Sequence, residues 1–300
     1  MRTHRVWAMW TSLPLTLALW TGVLGAGTLW AAGAAAETSS TRGDQEASQA
    51  TSSTAARQSA VRSLPLEKLD AESRAKVDSV LGNVTVFRRF PVRVVSCDPD
   101  LYLFTIRHPD VVVDTWRVLG ISQLQCRQTG TDTYRVAESA GTSAVMEFLY
   151  HTHDVQIVYG EWGYTGPLLP RTVHGRCLAI LKSGYVRETD GRYYITSRLD
   201  GFLSIEPGGA ELLTKVLHPL VVKNADANFV QTLAFVGSMS RTAEVNPRGM
   251  QRLADRLTGV QPDVRQQLAQ VVAGVAQRAA ARGNNDSKAP HVAGRPEKKE

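Results

Sequence analysis

Residues 91–120 read PVRVVSCDPDLYLFTIRHPDVVVDTWRVLG. The opening residues belong to a strand-like run, Phe87 to Cys97. Asp98-Pro99 then starts a helix, a carboxylate cap followed by a ring that pre-sets the first turn. That helix, DLYLFTIRH, buries Leu101, Phe104 and Ile106 and ends at Pro109. A second short helix, Asp110 to Leu119, turns Val112, Val113 and Trp116 to one side and stops at Gly120. The order that follows decides the fold class: a run of strands, then one long helix.

Six strand-like runs come next: Ser122 to Gln128, Thr133 to Glu138, Ser143 to Thr152, Asp154 to Trp162, Leu169 to Val186 and Arg192 to Ile205. Gly130, Gly141, Gly166-Pro167 and Asp190-Gly191 punctuate them. The long helix runs from Gly208-Gly209 to about Glu244, with Leu212, Val216, Val222, Ala225, Phe229, Leu233 and Val236 at helical spacing. Pro219 falls inside it and is expected to kink or split it. The fold class is therefore α+β. About seven antiparallel strands are expected to curl around the long C-terminal helix, leaving a space for an apolar ligand between sheet and helix. Two further amphipathic helices, Arg248 to Leu257 and Pro262 to Ala281, are expected to pack outside this unit or to bind a protein partner.

Three stretches of this order resemble the START-like, helix-grip superfamily. They are DPDLYLFTIRHPDVVVDTWRVLG, the paired strands VHGRCLAILKSGYVRETDGRYYITSRLDGFL and the helix ELLTKVLHPLVVKNADANFVQTLAF. The resemblance spans Arg88 to Asn246 and rests on element order rather than a sharp motif. It implies an apolar pocket between curved sheet and long helix. The superfamily's ligands include lipids, quinones, sterols and polyketides, and some members catalyse cyclisation or hydrolysis. The domain so defined covers residues 64–246, beginning with an amphipathic helix from Leu64 to Leu81. The C-terminal helical extension is 247–281, and 282–300 reads as a solvated, disordered tail.

Residues 1–36 carry Arg2 and Arg5, no acid, an apolar stretch from Leu13 and a small-residue Ala34-x-Ala36 end. That is the pattern of a cleaved export signal or, uncleaved, of a membrane anchor. Either places the rest of the chain in the periplasm or outside the cell. Residues 37–63, rich in Ser, Thr, Ala and Gln, are expected to be disordered. Removing the two signal arginines lowers the formal net charge from +6 to +4. Lys and Arg are scattered and sit beside no aromatic stripe, which argues against nucleic-acid binding. Cys97, Cys126 and Cys177 lack CxxC spacing and read as buried small hydrophobes.

No GxSxG elbow or phosphate loop occurs. His151 and His153, two apart on a strand, share a face with each other, but no third metal ligand has a fixed spacing, so neither metal nor cofactor is expected. Glu147, Arg135 and Arg198 lie within strands and mostly face water. If one points inward, it anchors a polar headgroup or serves as an acid. Arg198 and Asp200 share a face and could pair at the pocket mouth, and Asp226 on the long helix could meet Arg198 or Lys223. The candidate ligand-binding residues are Trp116, Glu147, Trp162, Tyr193, Arg198, Phe202, Phe229 and Leu233. The expected partners are a hydrophobic small molecule or lipid, with a membrane surface as a further one. The expected function is binding or carriage of a lipid, sterol or isoprenoid. A cyclase- or hydrolase-type enzyme in the same cavity and an interaction module with a filled core are the alternatives, with Pro207-Gly208-Gly209 as the hinge of the gating helix.

Overall fold

A computed structural model describes residues 49–139, 141–165, 172–206 and 218–286. The elements in chain order are α1 (Thr54–Arg62), a 3-10 turn (Leu66–Lys68), α2 (Ala71–Leu81), β1 (Val86–Arg89), β2 (Arg93–Ser96), α3 (Pro99–Arg107), α4 (Pro109–Val118), β3 (Gln125–Gln128), β4 (Thr133–Glu138), β5 (Thr142–His151), β6 (Val155–Tyr164), β7 (Val173–Arg187), β8 (Tyr193–Ile205), α5 (His218–Val245), α6 (Pro247–Arg256) and α7 (Pro262–Asp286). The protein is α+β, with an open antiparallel sheet in the order β1-β8-β7-β6-β5-β4-β3. β2 also pairs with β8, continuing the edge that β1 begins: Val86–Arg89 lie opposite Leu203–Asp200, and Arg93–Ser96 opposite Ser197–Tyr194. The single first strand read from Phe87 to Cys97 is thus interrupted at Phe90-Pro91-Val92.

Side-chain alternation explains how each part of the sheet is covered. In β4, buried Tyr134 and Val136 alternate with exposed Arg135 and Ala137, which marks one dry face and one wet face. In β6, Gln156, Trp162 and Tyr164 are buried on one face, while Ile157 and Tyr159 are buried on the other. Both faces are dry there because helices lie on each. α3, α4 and α5 cover the first face through Trp116, Tyr102, Phe229, Leu233 and Val236. α1 and α2 cover the second, where Ala56, Ala60, Val77 and Val80 meet Phe87, Ile157, Leu178, Ile180 and Phe202. A bulge between Phe148 and Tyr150 in β5 moves Tyr150 to this second face, opposite Ile157.

The disorder expected across residues 37–63 does not extend through Thr54–Arg62. Ser53 caps this helix, accepting from the Ala56 N–H at 3.2 Å. Its small alanines let the backbone sit close to the sheet, and Arg89 donates from a guanidinium nitrogen to the Ala56 carbonyl at 3.3 Å. The helix read from Leu64 to Leu81 divides at Asp70, whose carboxylate caps α2 by accepting from the Ser73 N–H at 2.7 Å. α5 is described from His218, so Pro219 lies in its first described turn, and whether it kinks or splits a helix from Gly208 falls outside the described residues. The proposed hinge, Pro207-Gly208-Gly209, lies outside the described residues, as does the helical reading from Gly208 to Leu217.

α6 and α7 pack onto the outer side of α3, α4 and α5. Met250, Ala254, Leu257, Val264, Leu268 and Val272 bury against Leu101, Phe104, Val111, Met239 and Ala243. Arg278 of α7 donates to Asp98, the cap of α3, through two nitrogens at 2.8 Å each. Their apolar faces are therefore used within the chain. Among the described residues no helix is long and apolar enough to cross a membrane. The segment read as an export signal or anchor lies outside the described residues.

Candidate functional site

A cavity of about 180 Å³ lies between the first face of the sheet and the three helices α3, α4 and α5. β5 contributes Ala144, Met146 and Phe148, and β6 contributes Gln156, Val158 and Gly160. Cys177, Ala179 and Leu181 of β7 and Leu199 of β8 form the rest of the floor. The roof is Tyr102, Thr105 and Ile106 of α3, Pro109, Val112, Val113 and Trp116 of α4 and its N-terminal edge, and Phe229, Thr232, Leu233 and Val236 of α5. Each wall uses one parity or one helical stripe, as strand and helix periodicity require. Gly160 lies in this floor beside the Cys177 thiol. A Cβ there would come within 2.7 Å of the Cys177 sulfur, so this strand position admits the thiol and no side chain of its own.

Polar groups gather near the start of β6. The Tyr102 hydroxyl is hydrogen-bonded to the Ser183 and Ser197 hydroxyls at 2.8 and 2.7 Å. Burial raises its pKa, and the two serine contacts offset part of the rise. Thr105 donates to the Tyr102 carbonyl at 2.9 Å. The Gln156 side-chain amide donates to the Thr152 carbonyl at 2.5 Å, while its Oε1 is buried without a protein partner. Burial pushes the Cys177 thiol up to about 12, which leaves it protonated and inert. None of the lining residues is Asp, Glu, His, Lys or Arg.

Of the residues singled out by sequence, Trp116, Phe229 and Leu233 line the cavity. Trp162 belongs to the adjoining core on the same face, with Tyr164 and Val173, and does not line it. Tyr193 lies at the start of β8, where the Arg187 guanidinium sits 5.8 Å from its ring centre. Glu147, Arg198 and Phe202 lie on the opposite face and do not line the cavity, because their neighbours in the chain (Met146, Phe148 and Leu199 among them) take the inward parity. Lys76 of α2 holds Glu147 at 2.8 Å, and Phe202 packs on Phe87 with ring centres 5.0 Å apart. Asp200 pairs with Arg89, not Arg198, through contacts of 2.6 and 3.0 Å. Asp226 pairs with Arg88, tying α5 to β1. His151 lies 3.6 Å from Asp132, and His153 lies 2.7 Å from Asp154, so the two histidines are engaged separately. Among the described residues no group of His, Cys, Asp and Glu is arranged to hold a metal ion. All three cysteines are free, and burial pushes the Cys97 thiol up to about 12 as well.

A second hollow, about 290 Å³, is lined by mostly polar residues that include Glu161, His174 and Arg176. Tyr159 donates to Glu161 at 2.8 Å and Arg176 lies 4.0 Å from it, so these groups largely partner one another. Sequence reasoning missed Gln156, Gly160 and Cys177. The available signal was Gly160, an isolated glycine within a strand of aromatic and β-branched residues.

No protein-family model matches the chain, and no curated protein does. Among solved structures, the chain is similar to the hypothetical protein jhp0584 of Helicobacter pylori, with 12% identity and a TM-score of 0.33 over 48% of this chain and 84% of that one. It is also similar to the Mll3558 protein of Rhizobium loti, with 13% identity and a TM-score of 0.28 over 48% of this chain and 97% of that one. Likenesses this weak carry no argument about fold or function.

Proposed function

We propose that this chain is a START-like, helix-grip protein that binds a small hydrophobic molecule in the cavity under α5, outside the cytoplasm if residues 1–36 act as an export signal. The observation that carries this reading is the apolar cavity between α5 and strands β5–β8. Binding there would be driven by removing apolar ligand surface from water, at about 25 cal/mol per Å². The size narrows the ligand. An engineered apolar cavity of about 150 Å³ holds benzene, so about 180 Å³ suits one ring with a short substituent. A sterol or a two-chain lipid requires the helices to move apart. Carriage is favoured over catalysis because no acid–base pair lines the walls, and over a purely structural role because the space is not filled by side chains.

Native mass spectrometry of the full chain, purified without detergent and then extracted with organic solvent, tests this reading. A noncovalent mass released by the solvent, and absent from an Ala144→Leu variant, supports it. An apo mass with no uptake from a pool of small apolar compounds refutes it.

A further inference from the structure

Gln156 is 1% exposed and lines a mostly apolar cavity in which Tyr102, Thr105 and Thr232 carry hydroxyls. Its orientation is fixed, because the Thr152 carbonyl can only accept and so takes the amide N–H at 2.5 Å. The opposite end of the amide, Oε1, is left as a buried acceptor without a protein donor. A buried unpaired carbonyl oxygen costs free energy until something donates to it. The neighbouring hydroxyls do not serve it: Tyr102 bonds Ser183 and Ser197, and Thr105 bonds the Tyr102 carbonyl. Gln156 stands opposite Leu181, two residues from Ser183, which places it at the Tyr102 end of the cavity. Gly160 and its partner Met146 lie four residues further along β6, about 13 Å away at strand rise.

We propose, resting on the cavity reading above, that the ligand is a neutral apolar molecule with one hydrogen-bond donor, a hydroxyl or an N–H, held by Gln156 Oε1 with its apolar body toward Met146 and Trp116. Carboxylates are rejected, since an anion there would face a carbonyl oxygen and meet no cationic side chain.

Calorimetric titration of the full chain with 4-ethylphenol, ethylbenzene and 4-ethylbenzoate at neutral pH tests this, on wild type and on Gln156→Met, a variant of similar shape without the acceptor. The preference for 4-ethylphenol over ethylbenzene should fall five- to tenfold, in order of magnitude, in the variant. An unchanged preference overturns the anchor while leaving the cavity reading intact. Failure of both ethylbenzene and 4-ethylphenol to bind either protein overturns the two together. Should Gln156→Met not fold, wild type alone decides. Binding of 4-ethylbenzoate at least tenfold weaker than 4-ethylphenol, in order of magnitude, supports the assignment, and equal binding refutes it.

Discussion

Replacing Asp110 by Asn should stabilise the protein at neutral pH and leave it unchanged in acid. Asp110 lies at the start of α4 and is 0% exposed, and neither carboxylate oxygen has a hydrogen-bond partner. Burial raises its pKa from 3.8 to about 6; the nearby Val111 and Asp110 backbone N–H groups offset part of this, and Asp114 and Asp263 add to it. Each tenfold difference in proton affinity is worth about 1.4 kcal/mol, so the rise corresponds to about 3 kcal/mol. The sign follows from linkage. A carboxyl with a raised folded pKa contributes its stability fully below 3.8 and loses it as pH rises through about 6. Neutral Asn resembles the protonated acid at every pH. The two proteins should therefore match in stability near pH 4 and separate by up to about 3 kcal/mol by pH 7. His108, whose pKa burial lowers, loses stability in the opposite direction as pH falls. It is present in both proteins and cancels in the difference. Urea unfolding across this pH range measures the gap directly. Parallel stability curves with no divergence near pH 6 would refute the assignment of a charged, unpaired carboxylate at this position.

Three further outcomes can be checked by the same unfolding assay. A Cβ at Gly175 would lie 2.5 Å from the Trp162 ring and 2.6 Å from the Ser204 carbonyl, so Gly175→Ala should destabilise by about 1–3 kcal/mol. Trp116 is buried against the Phe235 ring, with centres 5.8 Å apart, and Trp116→Ala should cost about 3–5 kcal/mol while enlarging the cavity. Arg278→Ala leaves buried Asp98 without its partner. The cost should be about 1–2 kcal/mol, below that of fully buried pairs because the arginine is 42% exposed.

The element order from Pro91 to Asn246 was legible because strand alternation, the Asp98-Pro99 cap and the turn glycines are local signals. Trp116, Phe229 and Leu233 were legible as inward-facing because each recurs at helical spacing with other large apolar residues of its helix. Glu147, Arg198 and Phe202 face away from the cavity. β6 to β8 are buried on both faces, so alternation shows which residues share a face but not which face points to the cavity. That choice is made by α1 and α2, whose docking depends on contacts distant in sequence, such as Arg89 with the Ala56 carbonyl and Lys76 with Glu147. Thr54–Arg62 carries too few large apolar residues to announce a packed helix; its buried positions are alanines. Gln156 was hidden for a related reason: a glutamine at the start of a strand reads as solvent-facing until α3 is seen to cover it.

The central claim is that a dry apolar cavity under α5 is open to small molecules. A crystal of the full chain held under xenon pressure tests it most directly, since xenon enters apolar cavities of this size. A bound xenon among Met146, Trp116 and Val236, lost in Ala144→Leu, is the predicted result. A xenon-treated crystal with no peak between the helices and strands β5–β8 would contradict the claim.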